Sequence, residues 1–206
     1  GGLGSGRKSS SFLDMLWSYV RDMESWKEKG VVVQNDDKVV VIKDQFPKAK
    51  VHYLIMPRTE INDIYELTRE HIPLIEHMRG VAMEMLQSKH SASSEPFRIG
   101  FHSVPSMNCL HMHVISTDFQ SEKLKTPAHW NSFQPPFFLD VLDLEKQLRD
   151  NGGVSVDQDE MNQFKKKGDL CCHRCGDNFK RQFAKLKPHV GSCTDDVTGP
   201  VHRPGT

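Results

Sequence analysis

Phe12, Leu16, Tyr19 and Met23 recur at helical spacing, with Trp17, Val20 and Trp26 beside them, so the first patterned segment reads as an amphipathic helix. Ser11 stands where a cap would, and Gly30 ends the segment. Two β-branched runs follow, 31–34 and 38–42, and Asn35-Asp36-Asp37 between them predicts a hairpin. A third strand, 51–56, is stopped by Pro57. Leu74, Met78, Val81 and Met85 mark one face of a helix over about 70–87, with Pro73 suited to its first turn. After a polar loop over 88–95, segments 97–103 and 110–116 read as strands and 137–149 as a helix. Asn151-Gly152-Gly153 breaks the pattern. This order predicts an α+β domain over 12–153, an antiparallel sheet with flanking helices. A flexible Gly/Ser-rich leader over 1–11 precedes it, and a small separate module over 154–206 follows.

Composition supports a folded chain: 206 residues, of which 37% are hydrophobic and 26% charged. No apolar run approaches the roughly 18 residues a membrane helix needs, and no secretory leader pattern is visible, so neither a membrane nor a secreted protein is expected. With 27 basic and 27 acidic side chains, the chain is not a uniformly basic nucleic-acid binder. The charge is unevenly spread, however. Between 161 and 190, Lys165, Lys166, Lys167, Arg174, Lys180, Arg181, Lys185 and Lys187 face only Asp169 and Asp177. Such a surface suits phosphate contacts that position DNA without reading sequence.

The five cysteines are also uneven, with Cys109 alone and the other four between 171 and 193. That distribution fits a reducing compartment and a metal site better than a disulfide framework. Cys172-x2-Cys175-x13-His189-x3-Cys193 has the spacing of a zinc finger with ligands in the order Cys-Cys-His-Cys, and Phe179, Phe183 and Leu186 supply its small core. Cys171 could replace Cys172 in the knuckle, although Cys-x2-Cys is the commoner spacing. One structural zinc ion per chain is expected, because so short a segment does not hold itself together without metal.

The richest chemistry lies in 102–115. His111 and His113 are two apart in an apolar strand, so they share a face with Cys109, while Leu110, Met112 and Val114 face the core. An isolated His-x-His pair is most often part of a solvated sheet face. It can also begin a zinc site. A third option is nucleophilic catalysis at phosphorus, in which a neutral imidazole attacks and a neighbouring imidazole donates hydrogen bonds to the phosphate. The 103–107 turn adds hydroxyls and backbone N–H groups suited to phosphate oxygens.

This segment resembles the histidine-triad motif, His-φ-His-φ-His-φ-φ with φ apolar. Residues 42–57, from Ile42-Lys43-Asp44 to Ile55-Met56-Pro57, resemble the nucleotide-binding stretch of the same superfamily. His129-Trp130-Asn131-Ser132-Phe133, followed by the finger spacing, narrows the resemblance to the aprataxin family. The resemblance implies a hydrolase that removes AMP from the 5′-phosphate of nicked or broken double-stranded DNA, acting in the nucleus as a monomer on DNA. It places His111 as the nucleophile and His113 as a phosphate contact. His52 would assist departure of the 5′-phosphate. Asp44 and Lys48 would hold the adenosine ribose, and His102, Ser106 and Met107 would line the phosphate pocket. Trp130 would pack behind the site, and Phe12 would belong to a helix that acts as a wedge against the DNA end, with some of its aromatic residues exposed. Cys109 departs from the family, which has histidine there. A thiol does not replace an imidazole in a hydrogen-bond network, so weaker support for His111 is expected. Three competing assignments remain at this stage: a Cys109 nucleophile, a hydrolase of small adenylates, and a zinc-dependent DNA-binding module with a degenerate triad.

Overall fold

The computed structural model describes residues 15–204, so the leader and Phe12 lie outside the described residues. Six strands form one sheet: β1 (Val32–Asn35), β2 (Val39–Lys43), β3 (His52–Pro57), β4 (Phe97–His102), β5 (Met112–Ser116) and β6 (Phe138–Asp140). Their order is β1-β2-β3-β5-β4-β6, and every neighbouring pair is antiparallel. The hairpin between β1 and β2 forms as the sequence indicates. Asp36 closes it by accepting hydrogen bonds from the Lys38 and Val39 backbone N–H groups, both at 2.8 Å.

The helices differ from expectation in three places. The first is broken at Asp22 into α1 (Met15–Arg21) and α2 (Met23–Glu28), and Gly30 ends it at a φ of 69°. The long helix, α3 (Ile72–His90), starts after a 3-10 turn at Arg69–His71 and runs into the polar segment expected to be loop. Pro73 sits in its first turn, as expected. The segment read as one helix over 137–149 begins as strand. Phe138–Asp140 pairs with β4, and Asp140 then caps α5 (Val141–Asn151) by accepting from the Leu142 N–H. Three further helices complete the chain: α4 (Pro127–Asn131), α6 (Gln158–Lys167) and α7 (Phe183–Ser192). Among the described residues, no helix is long and apolar enough to cross a membrane.

Alternation along the strands builds two different faces. Val41, Ile55, Ile99, Met112 and Val114 pack under α3 and α5 against Ile75, Met78, Met85, Leu144 and Leu148, forming the main core. The opposite face is covered in two pieces. Over β1–β3, α1 places Leu16, Trp17 and Tyr19 on Val40, Ile42, Leu54 and Met56. At the other end, Leu170, Leu186 and Val190 of the C-terminal segment join Ile115, Phe119, Trp130, Phe133 and Phe138 in one cluster. The C-terminal segment is therefore fastened to the sheet by a shared core. The gap between the two coverings holds the histidines.

The β4–β6 contact depends on one residue without a side chain. A Cβ on Gly100 would lie 2.1 Å from the Leu139 carbonyl oxygen and 2.9 Å from the Phe138 ring. Gly100→Ala should push β6 off the sheet and destabilise the protein by about 1–3 kcal/mol, read as a lower urea midpoint. An unchanged midpoint would show that β6 is not held at this contact.

Candidate active site

His113 on β5 and His111 immediately before it project from the face opposite the main core, as the period of two requires. Sheet order then sets their neighbours, because β3 carries His52 on one side and β4 ends in His102 on the other. His52 Nε2 and His113 Nδ1 are 2.9 Å apart, and the His102 and His113 ring centres are 4.3 Å apart. Phe133 lies edge-on to the rings of His52, His102 and His113, at 5.4, 4.9 and 5.3 Å, and makes their floor apolar.

One backbone group determines where the ring hydrogens sit. The Lys48 N–H donates to His52 Nδ1 at 3.2 Å. A backbone N–H can only donate, so His52 carries its own hydrogen on Nε2 and donates it to His113 Nδ1. The hydrogen of His113 is then on Nε2, which is buried and has no partner among the described residues. His111 Nδ1 donates to the Cys109 carbonyl oxygen at 2.7 Å, which leaves the lone pair on Nε2. All four rings are kept neutral. Burial lowers His52 to about 4 against the pull of the Asp44 carboxylate, whose Oδ2 is 3.3 Å from Nδ1. Burial also holds His102 and His113 well below the ordinary value, and it lowers His111.

Nitrogens of His102, His111 and His113 lie within 4.8 Å of one another, so the spacing alone would admit a metal. A metal needs lone pairs, and the hydrogen-bond chain puts a hydrogen on His113 Nε2. That nitrogen is instead suited to donate to an anion. The arrangement is therefore a free imidazole lone pair beside an inward-facing N–H, in a cavity of about 360 Å³.

Asp44, Lys48, His52, His102, Ser106, Met107, His111 and His113 all line this cavity, so one site gathers the residues that the sequence assigned to nucleotide and catalysis. His129, Ser132, Phe133 and Lys165 line it as well. Trp130 is 1% exposed, as a scaffold residue would be. The other residues of its stretch were legible only as part of a family motif. The faces of the five-residue α4 follow from Thr126, whose side chain accepts from the His129 N–H, and from Pro127, which no periodicity shows. Cys109 is 1% exposed and packs in the core beneath α1, and burial pushes its thiol up to about 12. Its carbonyl, not its sulfur, serves the site. Trp17 and Tyr19 are 4% and 3% exposed and belong to that same core, so neither is among the exposed aromatics expected of this helix.

The second cluster lies in the C-terminal segment. One ligand atom each from Cys172, Cys175, His189 and Cys193 falls within 4.8 Å of the others. Tetrahedral zinc, with bonds of about 2.0–2.3 Å, fits such a set. The Cys171 side chain is exposed and outside the cluster, while its carbonyl accepts from Trp130 Nε1 at 3.2 Å. His173, inside the knuckle, points the other way and donates from Nε2 to the Thr117 carbonyl at 2.7 Å. Two basic residues depart from the expected DNA-facing surface. Arg174 pairs with Glu95 in the loop before β4 and donates to the Asp195 carbonyl at 3.1 Å, so it fastens the segment to that loop. Lys165 turns into the histidine cavity. Lys166, Lys167, Lys180, Arg181 and Lys185 are exposed.

Two family models match. Residues 19–129 match the family described as scavenger mRNA decapping enzyme C-term binding, and residues 134–196 match the C2HE / C2H2 / C2HC zinc-binding finger. Aprataxin from Gallus gallus is 41% identical over 166 residues, covering 81% of this chain and 52% of that protein. The aprataxin-like protein of Schizosaccharomyces pombe is 33% identical over 207 residues, covering 92% of this chain and 84% of that protein. The chain thus spans about half the length of the first relative and most of the second. The crystal structure of the aprataxin ortholog Hnt3 in complex with DNA superposes with a TM-score of 0.72 at 31% identity, covering 88% of this chain and 94% of that one.

Burial of Cys109 has a direct readout. In the native protein a maleimide should label Cys171 and leave Cys109 unmodified until denaturant is added, as read by peptide mass spectrometry. Rapid native labelling of Cys109 would restore it as a candidate nucleophile.

Proposed function

We propose, because the chain belongs to the aprataxin family of the histidine-triad superfamily, that it is a DNA-repair hydrolase that removes AMP from 5′-adenylated DNA. The observation that carries this reading is the pair of fixed ring hydrogens. His111 is left with a lone pair on Nε2, and His113 offers an N–H to the same cavity. His111 Nε2 attacks the phosphorus of the AMP moiety. A nitrogen–phosphorus bond forms, the bond to the 5′-phosphate of the DNA breaks, and the departing oxygen takes the electron pair. Water then displaces the imidazole and releases AMP. The dry apolar floor keeps the nucleophile unprotonated at neutral pH and strengthens each hydrogen bond to the phosphate. Asp44 and Lys48 hold the nucleoside, and His52 orients His113 through its Nε2–H.

DNA contact is assigned to the exposed Lys166, Lys167, Lys180, Arg181 and Lys185, a row that a small adenylate would not use. The Hnt3 structure with DNA supports this reading, and a nuclear location follows from the substrate. Cys172, Cys175, His189 and Cys193 would hold one zinc ion, which supplies a tertiary crosslink and takes no part in the reaction.

His111→Ala should release AMP from a 5′-adenylated nicked duplex more slowly by roughly four or more orders of magnitude, with DNA affinity retained. Near-normal release would remove His111 as the nucleophile. If the wild type turned over small adenylates but not the adenylated duplex, the small-substrate reading would replace this one.

Cys172→Ser should lose the metal, measured by elemental analysis, whereas Cys171→Ser should keep one zinc per chain. The finger shares a core with Phe133, so the Cys172 variant should also lose turnover of small adenylates along with DNA binding. Metal retained in Cys172→Ser would overturn this ligand set.

A further inference from the structure

One ammonium in the histidine cavity has no carboxylate partner among the described residues. Lys165 stands near the end of α6 and lines the cavity with His102 and Ser132. Its Nζ lies 5.0 Å from the centre of the Phe137 ring, and no hydrogen bond or ion pair to a described residue holds it. The docking of α6 explains why Lys165 turns inward while Lys166 and Lys167 stay exposed. Asn131 Nδ2 donates to the carbonyls of Phe164 and Gly168, both at 3.1 Å, and pins that end of α6 against α4. A partly desolvated cation without a counter-ion is unfavourable, so an anion entering the cavity meets a charge that has no competing partner. Burial, and the neighbouring charge of Lys166, lower the pKa of this ammonium.

Sheet order says which anion that is. Reading across β2-β3-β5-β4-β6, Asp44 follows β2, His52 begins β3, His113 stands on the central β5, His102 ends β4, and Phe137 immediately precedes β6. The apolar side chains suited to a base, Leu16, Tyr19, Ile42 and Leu54, gather at the β2–β3 end with Asp44 and Lys48. Lys165, over Phe137, is at the opposite end. A diphosphate linkage with its nucleoside at the first end and its reacting phosphorus by His111 sends its other phosphate toward the second.

We propose that Lys165 is a catalytic residue for the leaving group: its ammonium contacts the phosphate that departs from the adenylate. This rests on the adenylate-hydrolase reading above and adds a specificity to it, namely that the cavity favours leaving groups that are themselves phosphates. When the phosphorus–oxygen bond breaks, its electron pair stays on the leaving phosphate. Lys165 keeps its proton and neutralises the added charge, while His111 carries the AMP. The competing role is packing alone, in which the aliphatic stem of Lys165 merely shields Phe137.

Lys165→Met separates the two, because methionine keeps an apolar stem on Phe137 and removes the charge. Two small adenylates serve as probes: one whose leaving group is a deoxynucleoside 5′-phosphate, and adenosine 5′-phosphoramidate, whose leaving group has no phosphate. The ratio of kcat/KM for the first to that for the second should fall roughly 100-fold in Lys165→Met, the scale of losing one charged transition-state contact. Lys165→Arg should recover most of it. An unchanged ratio would overturn the proposal and leave the functional reading standing. If the wild type processes the small diphosphate but not adenylated duplex DNA, with the ratio still falling in Lys165→Met, the functional reading fails and the role of Lys165 stands. Wild-type protein that turns over neither small adenylate nor the adenylated duplex would overturn both.

Discussion

The active centre depends on a single donor that cannot change its role, the backbone N–H of Lys48. Imidazoles alone would be free to exchange tautomers, and a cluster of four neighbouring rings would have many hydrogen arrangements of similar energy. The Lys48 N–H removes that freedom for His52, His52 removes it for His113, and the Cys109 carbonyl removes it for His111. The loop 44–50 therefore does two tasks with one conformation. Its side chains at Asp44 and Lys48 line the cavity, and its main chain orders the hydrogens of the histidine rings.

That order persists only if the rings stay neutral, which requires that they stay dry. The sheet cannot dry them alone, because one face of an antiparallel sheet is naturally open to water. Here it is closed from two sides, by α1 over β1–β3 and by the finger segment over β5 and β6. The finger segment could not form so apolar a contact by its own burial, being too short for an independent core. Its four converging ligand atoms, the ion pair of Arg174 with Glu95 and the His173 bond to Thr117 fix it against the apolar cluster that backs the histidine cavity. Cys172 of the candidate ligand set and Phe133 of the cavity floor thus belong to one continuous cluster of side chains.

Much of this was legible in the sequence because the signals were local and periodic. Alternation in 111–115 put the histidines on one face, and ligand spacing found the finger. The hairpin followed from Asn35-Asp36-Asp37. What stayed hidden depended on partners far along the chain. Phe138–Asp140 is strand only because β4 offers it an edge, which local pattern cannot reveal. Arg174 and Lys165 look alike in a run of basic residues. One is claimed by Glu95, 79 positions away, and the other is turned inward by Asn131. Trp17 and Tyr19 were ambiguous for the same reason, since the helix that carries them meets β2 and β3 only in three dimensions.

Cys109 shows how a departure from a family motif can be read once backbone and side chain are treated separately. The first triad position touches His111 through its carbonyl oxygen, 2.7 Å from Nδ1, and every residue type supplies that group. The side chain points instead into the core beneath α1, with Leu16, Trp17 and Leu54. A small apolar thiol is well suited to such a place, where burial holds it protonated. An imidazole at the same point would bring polar atoms into that core and would need partners there. The weaker support for His111 expected from a missing histidine does not follow from this geometry. Position 109 is tied to the chemistry through the main chain and to the fold through its side chain, so its identity is set by how α1 packs.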